Sequence, residues 1–262
     1  MKVQIIGLGI VGTAQAYLSQ KLGHNVVGYD VRSMSNPYCK VNDSYVKDAD
    51  ITFICTPETV VEEVINNLAR IGYKGVIAIR STIPIGTMGQ LKEKFDIHAC
   101  HNPEFLKENE YLEDIMNPNM IVIGQCCTEH GAVLENYYKP MEKKNEKKII
   151  VTDTTTSELV KLTMNSYLSV LITFWNEIHE LSNKLGVDTK TVAETAKLDP
   201  RVSKYGNKFF GEPYAGKCLP KDVRHLIAGF RANELNPKIF EACESFNEKL
   251  IKDLGKLNKD IR

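Results

Sequence analysis

The chain reads as an α/β protein in which a doubly wound parallel sheet is followed by an all-α region built on one long helix. Three observations predict this. Short apolar strand segments alternate with helix-patterned segments as far as residue 152. A glycine-rich turn joins the first strand to the first helix. Thr155-Thr156-Ser157-Glu158 forms a capping signature that opens an apolar-periodic stretch running to Leu185, with Gly186 as its stop. The implied domains are residues 1–153, carrying the sheet, and residues 154–262, a helical central region.

Val3-Gln4-Ile5-Ile6 is a buried-type strand, followed directly by Gly7-Leu8-Gly9-Ile10-Val11-Gly12 and a helix pattern through Ala14, Ala16, Tyr17 and Leu18. A G-x-G-x-x-G between a strand and a helix lets the backbone approach a pyrophosphate resting on the helix N-terminus. Gly7, Gly9, Val11 and Gly12 are therefore cofactor-site candidates in a Rossmann-type sheet. The next strand, Asn25 to Asp30, ends in a carboxylate placed to hold a ribose 2′-hydroxyl, which favours NAD over NADP. Asp30 as a strand-end turn residue is the alternative, and Arg32 lies nearby.

Asp50 to Cys55 is another apolar strand, closed by Thr56-Pro57, and Val60, Val61, Val64, Ile65 and Leu68 give the following helix its buried face. Val76-Ile77-Ala78-Ile79 repeats the unit. Its exit, Ser81-Thr82-Ile83-Pro84-Ile85-Gly86-Thr87, puts hydroxyls at the carboxyl edge of the sheet, where open α/β sheets bind ligands, and makes Thr82 a site candidate. Strands are expected at Ile97 to Cys100, Met120 to Ile123 and Lys148 to Thr152, with a helix around Glu129 to Tyr138. Asn102-Pro103-Glu104-Phe105-Leu106-Lys107-Glu108 reads as a loop entering a short helix, with Glu104 and Glu108 on one helical face. Such paired acids serve acid/base chemistry, or Glu108 is a solvated first-turn charge.

Composition bounds the partners. Of 262 residues, 33 are Lys or Arg and 33 are Asp or Glu, so neither nucleic acid nor an anionic membrane is expected, and small molecules are the ligands. Seven cysteines without paired spacing, and Met1-Lys2-Val3 leading straight into a strand, point to a reduced, cytoplasmic protein without a signal peptide or membrane span. His98-Ala99-Cys100-His101 lacks a second ligand pair and reads as a loop, so no metal is expected.

Gly216-Lys217-Cys218-Leu219-Pro220-Lys221-Asp222 places a thiol beside a helix start, since Pro220 suits the first helical position. A cysteine at a helix N-terminus beside lysines favours thiolate, which makes Cys218 a candidate nucleophile rather than a small buried hydrophobe. Lys161 and Asn165 lie one turn apart on the long helix, and both can donate to an oxygen that gains negative charge; a solvated helix face is the alternative. The long helix spans roughly 45 Å at ~1.5 Å per residue. Its apolar residues Tyr167, Val170, Leu171, Phe174, Trp175 and Ile178 exceed what one short partner covers, so a homodimer built on it is expected.

Taken together, these pieces resemble the UDP-glucose/GDP-mannose dehydrogenase family, most closely its UDP-glucose 6-dehydrogenases. The likeness rests on the glycine turn, the 81–87 and 102–108 segments, Lys161 with Asn165, Asn176-Glu177, Asp199-Pro200-Arg201 and the 218–222 segment. It implies that two NAD molecules oxidise a nucleotide sugar's primary alcohol to a carboxylate, through a thiohemiacetal and a thioester on Cys218. By the same resemblance Lys161 and Asn165 hold the reacting oxygen, Asp222 supports proton transfer, and Glu108 directs the hydrolytic water. Thr82 positions water, cofactor and the reacting carbon, and Thr56, Asp30 and Lys221 touch NAD together with Thr82 and Glu108. Glu104, Phe105, Leu106 and Lys107 line the sugar site with Lys161, Asn165 and the segment from Tyr205 through Tyr214 to Gly216.

The sequence departs from that pattern in its glycine-poor run before Cys218, in a short Val31–Lys47 stretch, and in ending where family members continue into a third, nucleotide-binding domain. A compact form, a separate nucleotide-binding partner and a fragment all fit that ending. Two other functions share parts of the pattern: a two-electron 3-hydroxyacid dehydrogenase, which needs no thiol, and a non-catalytic NAD-binding dimerisation module. The number of NADH formed per substrate separates the three.

Overall fold

The computed structural model describes residues 1–145 and 148–260, and the chain falls into two compact units, Met1–Lys161 and Leu162–Arg262. In the first unit the described residues form one eight-stranded sheet of spatial order β3-β2-β1-β4-β5-β6-β7-β8. Its strands are β1 (Lys2–Ile6), β2 (Asn25–Tyr29), β3 (Lys40–Val41), β4 (Ile51–Ile54), β5 (Val76–Ile79), β6 (Ala99–His101), β7 (Met120–Gln125) and β8 (Lys148–Asp153). Neighbouring strands run parallel except β6 and β7, which meet antiparallel through a single register pair, His101 with Gly124. The sheet is thus mostly parallel, as the sequence predicts, with one antiparallel junction, and the connection across it carries only α4 (Tyr111–Met116), six residues long.

The central strands are buried on both faces and read as apolar runs for that reason. Alternate residues enter different cores: Val3, Ile5, Ile51 and Phe53 pack with Ala14, Ala16 and Leu18 of α1 (Ile10–Lys21) and with Leu134, Tyr137 and Tyr138 of α5 (Thr128–Asn145). Ile6, Ile54, Ile77 and Ile79 turn to the opposite face, against α2 (Val61–Arg70) and α3 (Thr87–Phe95). Each fully buried aliphatic side chain is worth about 1.5–3 kcal/mol over exposure. The glycine turn is required by space as well as by conformation. Gly7 has φ +87°, a Cβ there would lie 2.9 Å from the Cys55 carbonyl carbon, and one on Gly12 would lie 1.8 Å from the Gly7 oxygen.

The long helix, α6 (Thr154–Leu185), has 32 residues. It is capped two residues earlier than the Thr155 signature suggests. Asp153 accepts from the Thr156 amide at 2.8 Å and from the Thr156 hydroxyl at 2.6 Å. Glu158, expected to reach back in a capping box, is 1% exposed and serves another helix. Its carboxylate accepts from the amides of Gly86 (2.7 Å) and Met88 (2.8 Å) at the N-terminus of α3. Burial raises the Glu158 pKa, and these two donors oppose the rise.

In the second unit the rest of α6 is joined by α7 (Thr189–Ala196), α8 (Leu219–Ala232) and α9 (Lys238–Asp260). Ile172, Tyr214, Val223, Ile227 and Cys243 form the core. Gly206, at φ +88°, passes so close to α6 that a Cβ would lie 2.7 Å from the Leu171 oxygen. Trp175, expected on the outward apolar face, is instead 3% exposed, with Phe174 edge-on at 5.3 Å. The outward face of α6 carries exposed Tyr167, Phe174, Leu181 and Leu185 and half-buried Leu171 and Ile178. No helix among the described residues is long and apolar enough to cross a membrane.

Glu158→Gln leaves one oxygen for two amides and sets an NH₂ against the other, so it is expected to lower stability by about 1–3 kcal/mol. Urea unfolding followed by circular dichroism measures this. An unchanged midpoint would mean that the carboxylate does not hold the α3 terminus.

Candidate active site

The glycine turn ends at Gly9, the N-cap of α1. That helix terminus has no side-chain cap and no acidic residue in its first turn. A Cβ on Gly9 would meet nothing within 4 Å, so this glycine answers no packing demand and leaves the backbone approachable. Thr56, after β4, has a buried hydroxyl oxygen with no hydrogen-bond partner. An uncapped helix terminus behind a glycine cradle, with an orphaned hydroxyl and a strand-end carboxylate, fits a dinucleotide: amides and dipole for the pyrophosphate, Asp30 for a ribose.

Asp30 is already engaged. Its carboxylate accepts from the Leu8 amide at 2.8 Å, from the Arg32 amide at 3.0 Å, and from Arg32 Nε and Nη2 at 2.9 and 3.1 Å. The Arg32 hydrogen bonds lead in holding the Asp30 pKa down at about 2. Oδ2 is shared by the Leu8 amide and Arg32 Nη2, while Oδ1 takes the Arg32 amide and Nε.

The segment after β6 differs from expectation. Residues 102–107 are irregular, 108–110 form a turn, and helix begins only at Tyr111, so Glu104 and Glu108 do not share a helical face. Side chains divert the backbone donors that a helix would use. Glu104 Oε2 takes the Leu106 amide at 2.6 Å and Asp114 takes the Lys107 amide at 2.8 Å. Glu104 also pairs with Lys161, which is 4% exposed and therefore not on a solvated face. Lys161 Nζ donates to the Glu104 carbonyl at 2.7 Å and to its Oε1 at 3.3 Å, and lies 5.3 Å from the Phe105 ring centroid. Glu108 and Lys107 are exposed, Leu106 and Thr82 half-buried.

Beneath this loop lies a buried network that sequence reasoning missed. Arg80 Nη1 donates to Asn102 Oδ1 (2.8 Å) and to the Tyr138 hydroxyl (3.1 Å), while Tyr138 donates to Asn102 Oδ1 at 2.6 Å. Asn102 donates on to the Val122 carbonyl at 2.7 Å and so fixes the start of the loop. The available signal was Arg80 itself, a charge ending the apolar run Val76 to Ile79. His101, held neutral by burial with a pKa near 3, bonds Ser157 of α6 at 2.9 Å.

In the second unit Cys218 is the N-cap of α8, and Pro220 occupies the second helical position rather than the first. The Cys218 thiol is exposed and outside any disulfide. Its carbonyl accepts the Asp222 amide at 2.9 Å, closing the first turn. Asp222, 0% exposed, accepts from Asn165 Nδ2 at 2.6 Å, and Lys221 Nζ lies 3.0 Å from its other oxygen. That second contact is an ion pair without hydrogen-bond alignment. Of the other cysteines, burial pushes Cys55 up to about 12 and Cys39 up to about 11, and it raises Cys243. Tyr205 is half-buried beside Phe209, and Gly216 is exposed at φ +81°. Tyr214, expected at the sugar site, has its ring in the core at 2% exposure. Its backbone is clamped by Asn247 through bonds of 2.9 and 3.0 Å.

Two models of one family match successive parts of the chain. The NAD binding domain model of the UDP-glucose/GDP-mannose dehydrogenase family matches residues 39–142, and its central domain model matches residues 155–249. The glycine turn lies ahead of the first match. The UDP-glucose 6-dehydrogenase of Campylobacter jejuni is 30% identical over an alignment of 296 positions, gaps included, spanning 97% of this chain and 74% of that protein. An uncharacterized protein of Methanocaldococcus jannaschii is 31% identical, and the chain spans 96% of itself but only 33% of that relative. Among solved structures, a UDP-glucose dehydrogenase from Pyrobaculum islandicum superposes with a TM-score of 0.83 at 28% identity, over 95% of this chain and 68% of that one.

Because the Asp30 pKa is depressed in the fold, its stabilisation is present above the unfolded value of 3.8 and is lost as pH falls through about 2. The stability difference between the wild type and Asp30→Asn is therefore expected to be constant from pH 7 to 5 and to shrink below pH 4. Denaturant titrations at stepped pH measure it, and a pH-independent difference would contradict the Arg32 pairing.

Proposed function

The chain belongs to the UDP-glucose/GDP-mannose dehydrogenase family, and from that premise we propose that it carries out the NAD-dependent four-electron oxidation of a nucleotide sugar, of the UDP-glucose to UDP-glucuronate type. The observation that carries this reading is the exposed Cys218 thiol at the start of α8, one turn ahead of the buried Asp222–Asn165 pair. A two-electron dehydrogenase has no use for that thiol.

NAD, when bound, accepts a hydride from the sugar carbon in each of two oxidations. The chain's own residues do the rest. The first oxidation takes the alcohol to an aldehyde, with its proton passing to a base. Cys218 adds to the aldehyde carbon to form a thiohemiacetal, which retains the substrate and presents the carbon for the second hydride transfer. The resulting thioester is cleaved by water, directed by Glu108, to give the carboxylate and the thiol. An ammonium has three donors; Lys161 spends two on Glu104, leaving one for the reacting oxygen. Asn165 likewise spends one amide proton on Asp222 and keeps the other for that oxygen. Asp222 supports proton transfer, and Thr82 positions water and the reacting carbon. Gly7, Gly9, Val11, Gly12, Asp30, Thr56 and Lys221 hold NAD, the Asp30 charge disfavouring a 2′-phosphate. Residues 104–107 and 205–216, apart from the core-packed ring of Tyr214, line the sugar site.

The proposed assembly is a homodimer on α6. Tyr167, Leu171, Phe174, Ile178, Leu181 and Leu185 recur at alternating spacings of four and three, the seam of a paired helix.

With UDP-glucose in excess, two NADH per sugar are expected. Glu108→Gln should give a burst of NADH and then turnover slowed by about 10²–10⁴-fold, with the thioester found on Cys218 by mass spectrometry. Cys218→Ala should lack the adduct. Full two-NADH turnover by Cys218→Ala, or an adduct on Cys55, Cys100 or Cys243, would overturn the assignment.

Sedimentation tests the assembly: the wild type should run as a dimer, and Phe174→Glu combined with Leu181→Glu as a folded monomer. A wild type that stays monomeric at every concentration rules the seam out.

A further inference from the structure

The first unit gathers three thiols and two imidazoles that the proposed oxidation does not use. Cys100 lies within β6, Cys126 and Cys127 directly follow β7, His130 is in the first turns of α5, and His98 precedes β6. Two sets of ligand atoms lie within 4.8 Å of one another: Cys100, Cys126 and His130, and His98, Cys126 and Cys127. Cys126 belongs to both. The second ligand pair that His98-Ala99-Cys100-His101 lacks in sequence is thus supplied in space by the end of β7 and the start of α5.

We propose that Cys100, Cys126 and His130 form a binding site for a zinc-class divalent cation, with a fourth position open to solvent. Bonds of about 2.3 Å to sulfur and about 2.0 Å to nitrogen set tetrahedral edges near 3.8 Å between sulfurs and near 3.5 Å from sulfur to nitrogen. The Cys100 and Cys126 sulfurs are 3.5 Å apart, and Cys126 Sγ is 3.2 Å from His130 Nδ1. These two edges need to open by only a few tenths of an ångström, and the third, from Cys100 to His130, lies within 4.8 Å. Mixed thiolate and imidazole donors select zinc over the hard cations that prefer oxygen. Buried thiols in apolar surroundings are ordinarily inert packing, but packing alone does not direct a histidine nitrogen and two sulfurs from three elements at one point.

The position gives the ion structural work. The β6–β7 seam is where the sheet reverses direction, and one register pair joins the two strands. An ion held by β6, the end of β7 and α5 crosses that seam. Binding releases the two thiol protons to solvent as two metal–sulfur bonds form, so the dipositive ion and the two thiolates balance in charge.

The test uses the reduced, metal-free full chain, titrated anaerobically with Co²⁺ as a spectroscopic stand-in for Zn²⁺. One cobalt per chain is expected, taken up with release of two protons and showing the visible bands of a tetrahedral ion and thiolate-to-cobalt charge transfer, both bleached when Zn²⁺ displaces the cobalt. Cys126→Ser should abolish the charge transfer, His130→Gln should weaken binding, and Cys39→Ser should leave it unchanged. Zn²⁺ should raise the thermal midpoint of the wild type but not that of Cys126→Ser. Absence of a tetrahedral signature in the wild type overturns the proposal whatever the variants do. So does a signature that survives in Cys126→Ser, or one lost on Cys218→Ser, which would place the metal at the exposed thiol. Oxidation of Cys100 and Cys126 to a disulfide with no metal uptake overturns it as well.

Discussion

The first two turns of α6 carry three buried polar side chains on one face, Ser157, Glu158 and Lys161, and the organisation of the first unit depends on how each is satisfied. Residues three and four apart on a helix project together, so one stripe meets the carboxyl edge of the sheet at three points. Ser157 meets His101 at the end of β6, Glu158 meets the amides that open α3, and Lys161 meets Glu104 in the loop after β6. A buried charge left unpaired costs several kcal/mol. The helix therefore has one rotation and one register in which all three are satisfied, and Asp153 fixes its first turn in that register.

This arrangement has a chemical consequence. The ammonium of Lys161 is held by a carbonyl and a carboxylate of the same residue, so its remaining donor has a fixed direction. Glu104 is fixed in turn, because its other oxygen closes a turn onto Leu106 and the loop begins at Asn102, pinned by Arg80 and Tyr138. The second unit solves the same problem with fewer parts. Asp222, fully buried at the first turn of α8, orients the Asn165 amide from one oxygen and meets Lys221 at the other. In both places a carboxylate turns a flexible donor into a directed one, which is what electrostatic preorganisation requires.

What was legible in the sequence was whatever rests on local pattern. The strands, the glycine turn, the buried face of α2 and the length of α6 follow from periodicity and from residues with special backbone needs, such as Gly7 and Gly12, where the structure leaves no room for a Cβ. What was not legible depends on partners distant in sequence. Thr155 to Glu158 matches a capping box, yet Glu158 has a partner 72 residues away at Gly86, and Asp153 takes the cap. Glu104 and Glu108 have helical spacing, but Glu104 is drawn into a turn by Leu106 and Asp114 takes the Lys107 amide. Trp175 and Phe174 are adjacent apolar residues on one helix; only the tertiary packing decides that the first is buried and the second exposed. Lys161 looked like half of a polar surface pair because its burial is set by a loop 57 residues earlier.

The way helix N-termini are satisfied separates structural ends from functional ones more sharply than any single motif does. Every helix begins with amides lacking intrahelical acceptors. At α3, α6 and α7 an internal carboxylate supplies them: Glu158, Asp153 and Asp188. At α2 and α4 there is no side-chain cap, but Glu62 and Glu63, and Glu113 and Asp114, place negative charge in the first turn. α1 has neither a cap nor an acid. In the proposed reading its amides and dipole take the pyrophosphate of the cofactor. α8 is the intermediate case, since it has no side-chain cap and its one first-turn acid, Asp222, is committed to Asn165 and Lys221. The cap position of α8 is held by Cys218, and in the proposed reaction this helix end favours its thiolate.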